Sequence, residues 1–175
     1  RLVDSLPNFR REIFIPHLPH RFGFVPIKSL AEELNSKILH RYGNETHIDL
    51  LGFSMGGLVS RVWLQDLGGC SRTHKFITIG TPHFGTLLAH LVPCRVMPGV
   101  ADMKIKSDLL NDLNLDINVL EKLDCSSFYI PWDLMVVPGC KAILPFGLRK
   151  QLPAITHRGL VLNPQAIKLI IERIV

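Results

Sequence analysis

The chain has 175 residues, 20 Lys and Arg against 15 Asp and Glu, a formal net charge of +5 at pH 7, and 47% hydrophobic residues. That length bounds one domain with room for a real core, and no apolar run approaches the roughly 18 residues of a membrane span. Its basic residues are scattered, without the clustered stripe and interleaved aromatics of a nucleic-acid surface, so nucleic acid is not an expected partner.

Taken in order, residues 1–6 (Arg-Leu-Val-Asp-Ser-Leu) look like the middle of a helix and not like a signal segment, so the domain is expected to be incomplete at its N-terminus. Residues 12–18 (Glu-Ile-Phe-Ile-Pro-His-Leu) read as a short buried strand, with a Pro-His-Arg-Phe-Gly loop at its carboxyl end. His17 and His20 flank Pro19 with no carboxylate nearby, which argues against a metal site. His17 is kept as a substrate-pocket candidate because of its place at a strand's end. Ser29, Leu30, Leu34, Ile38 and Leu39 then recur at helical spacing up to Gly43-Asn44.

The most informative stretch follows. Residues 47–53 form an apolar run that ends in Gly52-Phe53-Ser54-Met55-Gly56, and Leu58, Val59, Val62, Trp63 and Leu67 repeat at helical spacing until Gly68-Gly69. This is a strand, a sharp turn and a helix, with Ser54 at the apex. A serine at such a turn crowds its neighbours, so Gly52 and Gly56 are expected to supply side chains no larger than hydrogen. The turn lifts the Ser54 hydroxyl clear of the sheet and aims the Met55 N–H, at the positive end of the helix, toward a carbonyl under attack.

Residues 75–80 form the next strand and lead into Thr81-Pro82-His83-Phe84-Gly85-Thr86. His83 is expected to hold that loop together, and it stays a pocket candidate with Phe53. Residues 87–126 are irregular apart from weak helical character over 107–120, and are expected to form a pocket wall or lid. A strand over 127–132 ends at Asp133, a last strand runs over 148–155 and precedes His157, and a helix starts at Pro164. Strand and helix alternation predicts an α/β fold with a mostly parallel sheet in three layers, and ligands at the carboxyl ends of the strands. Cys70, Cys94, Cys125 and Cys140 are irregularly spaced, with no Cys-x-x-Cys pair and no zinc spacing. They read as reduced thiols in a cytoplasmic protein without metal or cofactor.

A serine nucleophile needs a base, and the base needs an orienting acid. Of the later residues, Asp133 and His157 stand at or just beyond strand ends on the face that carries Ser54. The resulting order Ser, Asp, His is that of α/β-hydrolases. From about Asp4 onward the chain resembles a small α/β-hydrolase of the lipase/esterase kind, and the resemblance rests on four segments. Gly52 to Arg61 (Gly-Phe-Ser-Met-Gly-Gly-Leu-Val-Ser-Arg) is similar to the lipase nucleophile motif, with Phe53 where many lipases have His. Gly80 to Thr86 is similar to a loop that recurs after the next strand. The segments starting at Asp133 and His157 are similar to those carrying the family's acid and base.

The resemblance implies a single hydrolase domain over 1–175 that cleaves carboxylic esters, acyl lipids or other apolar acyl esters, through an acyl-enzyme on Ser54. Peripheral contact with a membrane fits that substrate class. Acyl transfer or thioester cleavage would use the same residues, and a non-catalytic binding protein on the same fold is the rival from another class. The family also has a strand ending in His-Gly, whose loop gives a second oxyanion N–H, between the strands expected at 12–18 and 47–53. No such segment occurs in this sequence. Either chain upstream of Arg1 inserts there, which is the expected arrangement, or the two flanking strands pair directly. In the second case Met55 works as the one donor, at a loss on the order of 3 kcal/mol of transition-state stabilisation.

Overall fold

A computed structural model describes residues 12–93 and 96–175. The helix read over residues 1–6 and Cys94 lie outside them. The first helix, α1 (Ile27–Tyr42), buries Ile27, Leu30, Ala31, Leu34 and Ile38, one stripe at helical spacing. The strand β1 (Ile48–Phe53) runs through a single-residue turn into α2 (Met55–Asp66). Then come β2 (Thr73–Ile79), the short α3 (Pro98–Ala101), α4 (Asp108–Leu115), β3 (Asp124–Tyr129), β4 (Leu148–Gln151), the short α5 (Gly159–Leu162) and α6 (Pro164–Ile174).

The four strands lie in the order β1-β2-β3-β4 and every pairing is parallel. Phe53 is level with Ile79, Ile79 with Phe128, and Tyr129 with Gln151, so the carboxyl ends of all four strands form one rim. Alternation along β2 and β3 divides the core between the two faces of the sheet. Phe76 and Cys125 pack with residues of α1, α2 and α4, while Ile77, Ile79 and Phe128 pack with Leu160, Ala166 and Ile170 of α5 and α6. The expected three-layer α/β fold is therefore the one observed.

The strand expected over residues 12–18 is a correction. The segment has no regular structure, joins no ladder and leaves Ile15 68% exposed. Pro16 has no N–H to give to a ladder, and side chains tie the segment to the end of α1. Phe14 meets Tyr42 edge to face at 6.0 Å, and Arg41 pairs with Glu12. Direct pairing of this segment with β1 is corrected with it, since among the described residues β1 pairs with β2 alone. The ladders of β3 and β4 end earlier than the apolar runs suggest, each just short of a proline, Pro131 and Pro153. The helix expected over 107–120 divides into α4 and a 3-10 helix at Ile117–Lys122. No helix among the described residues is long and apolar enough to cross a membrane.

Candidate active site

At the end of β1, Ser54 takes φ 52° and ψ −127°, a conformation that side chains disfavour. The close approach of strand and helix imposes it. A Cβ on Gly52 would fall 2.4 Å from the Gly57 Cα, and one on Gly57 would fall 2.1 Å from Thr81 Oγ1. The steric demand expected at Gly56 is not there, because a Cβ on Gly56 would meet nothing within 4 Å. Gly57 carries that demand, since it faces the loop after β2 while Gly56 points away. The second glycine of the Gly56-Gly57 pair was the signal for it. Ser54 N–H donates to Ile79 O at 2.8 Å, which ties the turn to the end of β2. Met55 opens α2, so its N–H has no acceptor within the helix.

Asp133 and His157 meet at the same rim. Asp133 is buried and its Oδ1 accepts from the N–H groups of Met135 (2.8 Å) and Val136 (3.3 Å). Its Oδ2 lies 2.7 Å from His157 Nδ1. A carboxylate only accepts, so the proton of the imidazole sits on Nδ1 and Nε2 carries the lone pair. That Nε2 is buried without a hydrogen-bond partner. The His157 ring stands 4.9 Å from the Phe53 ring and packs over Gly80, where a Cβ would come within 2.9 Å of its Cε1. Phe53 precedes Ser54 and Gly80 follows the Ile79 that Ser54 binds, so the ring lies against the neighbours of the serine on both strands.

Of the pocket candidates, Phe53 is at the site through this ring contact. His17 is exposed on the segment outside the sheet. His83 is wholly buried in the loop after β2. Thr78 Oγ1 gives its proton to Ser126 O, so His83 Nε2–H donates to Thr78 Oγ1 at 3.1 Å. Burial, and after it the Arg61 guanidinium, hold the His83 imidazole well below the usual histidine range. It therefore stays neutral and holds the loop, as expected.

Two further residues, each the last of a segment that carries the resemblance, have structural roles that the sequence does not reveal. Arg61 is wholly buried, and burial pulls its guanidinium down to about 10. It bonds Gln65 Oε1, His83 O, Leu113 O and Asn114 Oδ1, which locks α2 to the loop after β2 and to the end of α4. Thr86 closes that loop, and its hydroxyl binds the backbone of the turn after Asp133. The ties of Arg61 to Leu113 and Asn114 and of Thr86 to Met135 and Val137 have no sequence signature, since those partners lie about fifty residues away. Among the described residues no cluster of three or more His, Cys, Asp or Glu could hold a metal ion.

Residues 26–109, from α1 to the start of α4, match the family model described as "Putative serine esterase (DUF676)". No curated protein sequence matches the chain. Among solved structures it is similar to Aspergillus fumigatus lipase B, with a TM-score of 0.71 and 20% identity over 87% of this chain and 42% of that one. It is also similar to mature Bacillus licheniformis lipase BlEst2, with a TM-score of 0.62 and 15% identity over 85% of this chain and 74% of the lipase. A third similar structure is MGS-MChE2, an α/β-hydrolase enzyme from the sediment metagenome of the Mar Chica lagoon, Morocco, with a TM-score of 0.62 and 15% identity over 91% and 75% of the two chains. The chain thus spans less than half of the Aspergillus lipase. By its fold the chain is similar to these α/β-hydrolase structures, and over residues 26–109, just under half of its length, its sequence is similar to the family described as a putative serine esterase.

Proposed function

We propose that the chain is a serine hydrolase of carboxylic esters, with acyl lipids or other apolar acyl esters as substrates. Ser54 Oγ attacks the ester carbonyl carbon and His157 Nε2 takes the hydroxyl proton. Asp133 holds the ring in the tautomer that leaves Nε2 free and balances the imidazolium that forms. The Met55 N–H stabilises the oxyanion. His157 then returns the proton to the departing alcohol, and water cleaves the acyl-serine by the reverse sequence. The observation that carries this reading is the Asp133–His157 contact of 2.7 Å with Nε2 left unbonded beside Phe53. Preference for apolar acyl groups is supported by side chains next to the acid and base that remain in solvent, Trp132 (88%), Leu134 (81%) and Ile155 (92%).

The test is reaction of the folded protein with a fluorophosphonate probe, which reports an activated serine without a known substrate. Labelling should map to Ser54 and be lost in Ser54→Ala and His157→Ala. A cooperatively folded protein that does not label would refute the proposal and leave a binding protein on a hydrolase fold.

A further inference from the structure

The turn that carries Asp133 has little side-chain packing of its own. Trp132 and Leu134 stand in solvent and Met135 is half exposed, while Asp133 and Val136 turn inward. Backbone hydrogen bonds hold it instead, and two of them end on the Thr86 side chain. Thr86 Oγ1 donates to Met135 O at 3.0 Å and accepts from Val137 N–H at 2.9 Å and Leu88 N–H at 3.3 Å. Those three bonds fill the one donor and two acceptor positions of a hydroxyl. Leu87 N–H adds a bond to Val137 O at 3.0 Å, and Thr86 N–H is itself anchored on Met103 O at 2.9 Å. Thr86 is buried, so these bonds form away from competing water.

On its other side the same turn binds the carboxylate. Met135 and Val136 give their N–H groups to Asp133 Oδ1, which leaves Oδ2 turned to His157 Nδ1. We propose that Thr86 is a positioning residue for the proposed hydrolysis: its hydroxyl fixes the Met135–Val137 backbone, that backbone fixes the Asp133 carboxylate, and the carboxylate sets the His157 ring. The inference rests on the functional reading above. It touches no reacting atom, so its effect passes wholly through Asp133.

The test compares Thr86→Val, which keeps the shape and removes the bonds, with Thr86→Ser, which keeps them. Turnover of an activated p-nitrophenyl ester should fall roughly tenfold to a hundredfold in Thr86→Val, as for a small misplacement of a catalytic group. KM should change little, and Thr86→Ser should be close to wild type. In an Asp133→Asn background Thr86→Val should have no further effect, because the group it positions is gone. An equal loss in both backgrounds, or a Thr86→Ser variant as poor as Thr86→Val, would overturn the proposal. If Thr86→Val does not fold, Thr86→Ala removes the same bonds without a methyl group against Met135 O. The NMR resonance of the His157 Nδ1 proton gives a readout that needs no activity: it should lie far downfield in wild type and Thr86→Ser and be lost or shifted upfield in Thr86→Val. Absence of fluorophosphonate labelling in wild type would reject the hydrolase reading, while an unchanged Nδ1 resonance in Thr86→Val would reject the role of Thr86.

Discussion

Gly57 and Thr81 stand so close that a Cβ on the glycine would lie 2.1 Å from the threonine Oγ1, whereas a Cβ on Gly56 would meet nothing within 4 Å. The two adjacent glycines therefore have opposite tolerances. Gly56→Ala should raise stability by up to about 1 kcal/mol, since alanine is the better helix former and has room. Gly57→Ala should lower it by about 1–3 kcal/mol as the crowded helix start and loop move apart. Urea unfolding of the two variants measures the difference, and equal midpoints would show that the elbow is looser than described.

Ser54 is held at a positive φ of 52° without being a glycine, at a cost of order 1–3 kcal/mol that the surrounding contacts sustain. Ser54→Gly should therefore increase stability by about 1 kcal/mol, part of the relieved strain being lost to the greater freedom of glycine in the unfolded chain. Ser54→Ala keeps the Cβ and should melt near wild type. Both variants should lose fluorophosphonate labelling. A destabilised Ser54→Gly would mean that the serine side chain contributes bonds worth more than its strain.

How far sequence alone reaches follows from the range of each constraint. The Gly-x-Ser-x-Gly turn is local, so an apolar run, two glycines and a helical repeat suffice to read it. Asp133 and His157 could be chosen because parallel topology sends every residue that follows a strand to one rim. The demand at Gly57 comes from Thr81 across the fold, and the ties of Arg61 to Leu113 and of Thr86 to Val137 span about fifty residues. Patterns of period 2 or 3.6 carry no trace of them. Residues 12–18 have the apolar content of a strand, but a strand also needs a partner edge and N–H donors, and Pro16 removes one.

Asp124 and Asp133 bracket the same strand and have opposite surroundings. Asp124 opens β3 at the end far from Ser54, half exposed and paired with Arg173. Asp133 lies buried beyond the other end against His157. Asp133→Asn should lower kcat by about four orders of magnitude, because an amide favours the wrong imidazole tautomer. Asp124→Asn should leave turnover near wild type and cost less than about 1 kcal/mol of stability, as for an exposed ion pair. Steady-state kinetics on one ester with both purified variants decides it, and comparable losses would leave the acid unassigned.

His83 gives the fold a pH dependence whose sign follows from its burial. In the unfolded chain its imidazole takes up a proton near the usual 6.5, while in the folded protein burial and Arg61 hold its pKa well below that value. Below about pH 6.5 the unfolded state therefore binds more protons at this position than the folded state. The stability associated with His83 is fully present above the unfolded pKa and is lost as pH falls, by up to about 1.4 kcal/mol per pH unit, until the folded pKa is reached. His83→Asn replaces the imidazole by a group that does not titrate, and it gives up ring packing at every pH alike. Between pH 6.5 and 5 the unfolding free energy of wild type should accordingly fall more steeply than that of His83→Asn. Urea titrations at half-unit steps measure both slopes. Parallel slopes would mean that the folded protein accepts a proton on His83 beside Arg61, which is incompatible with the closed packing of the loop after β2.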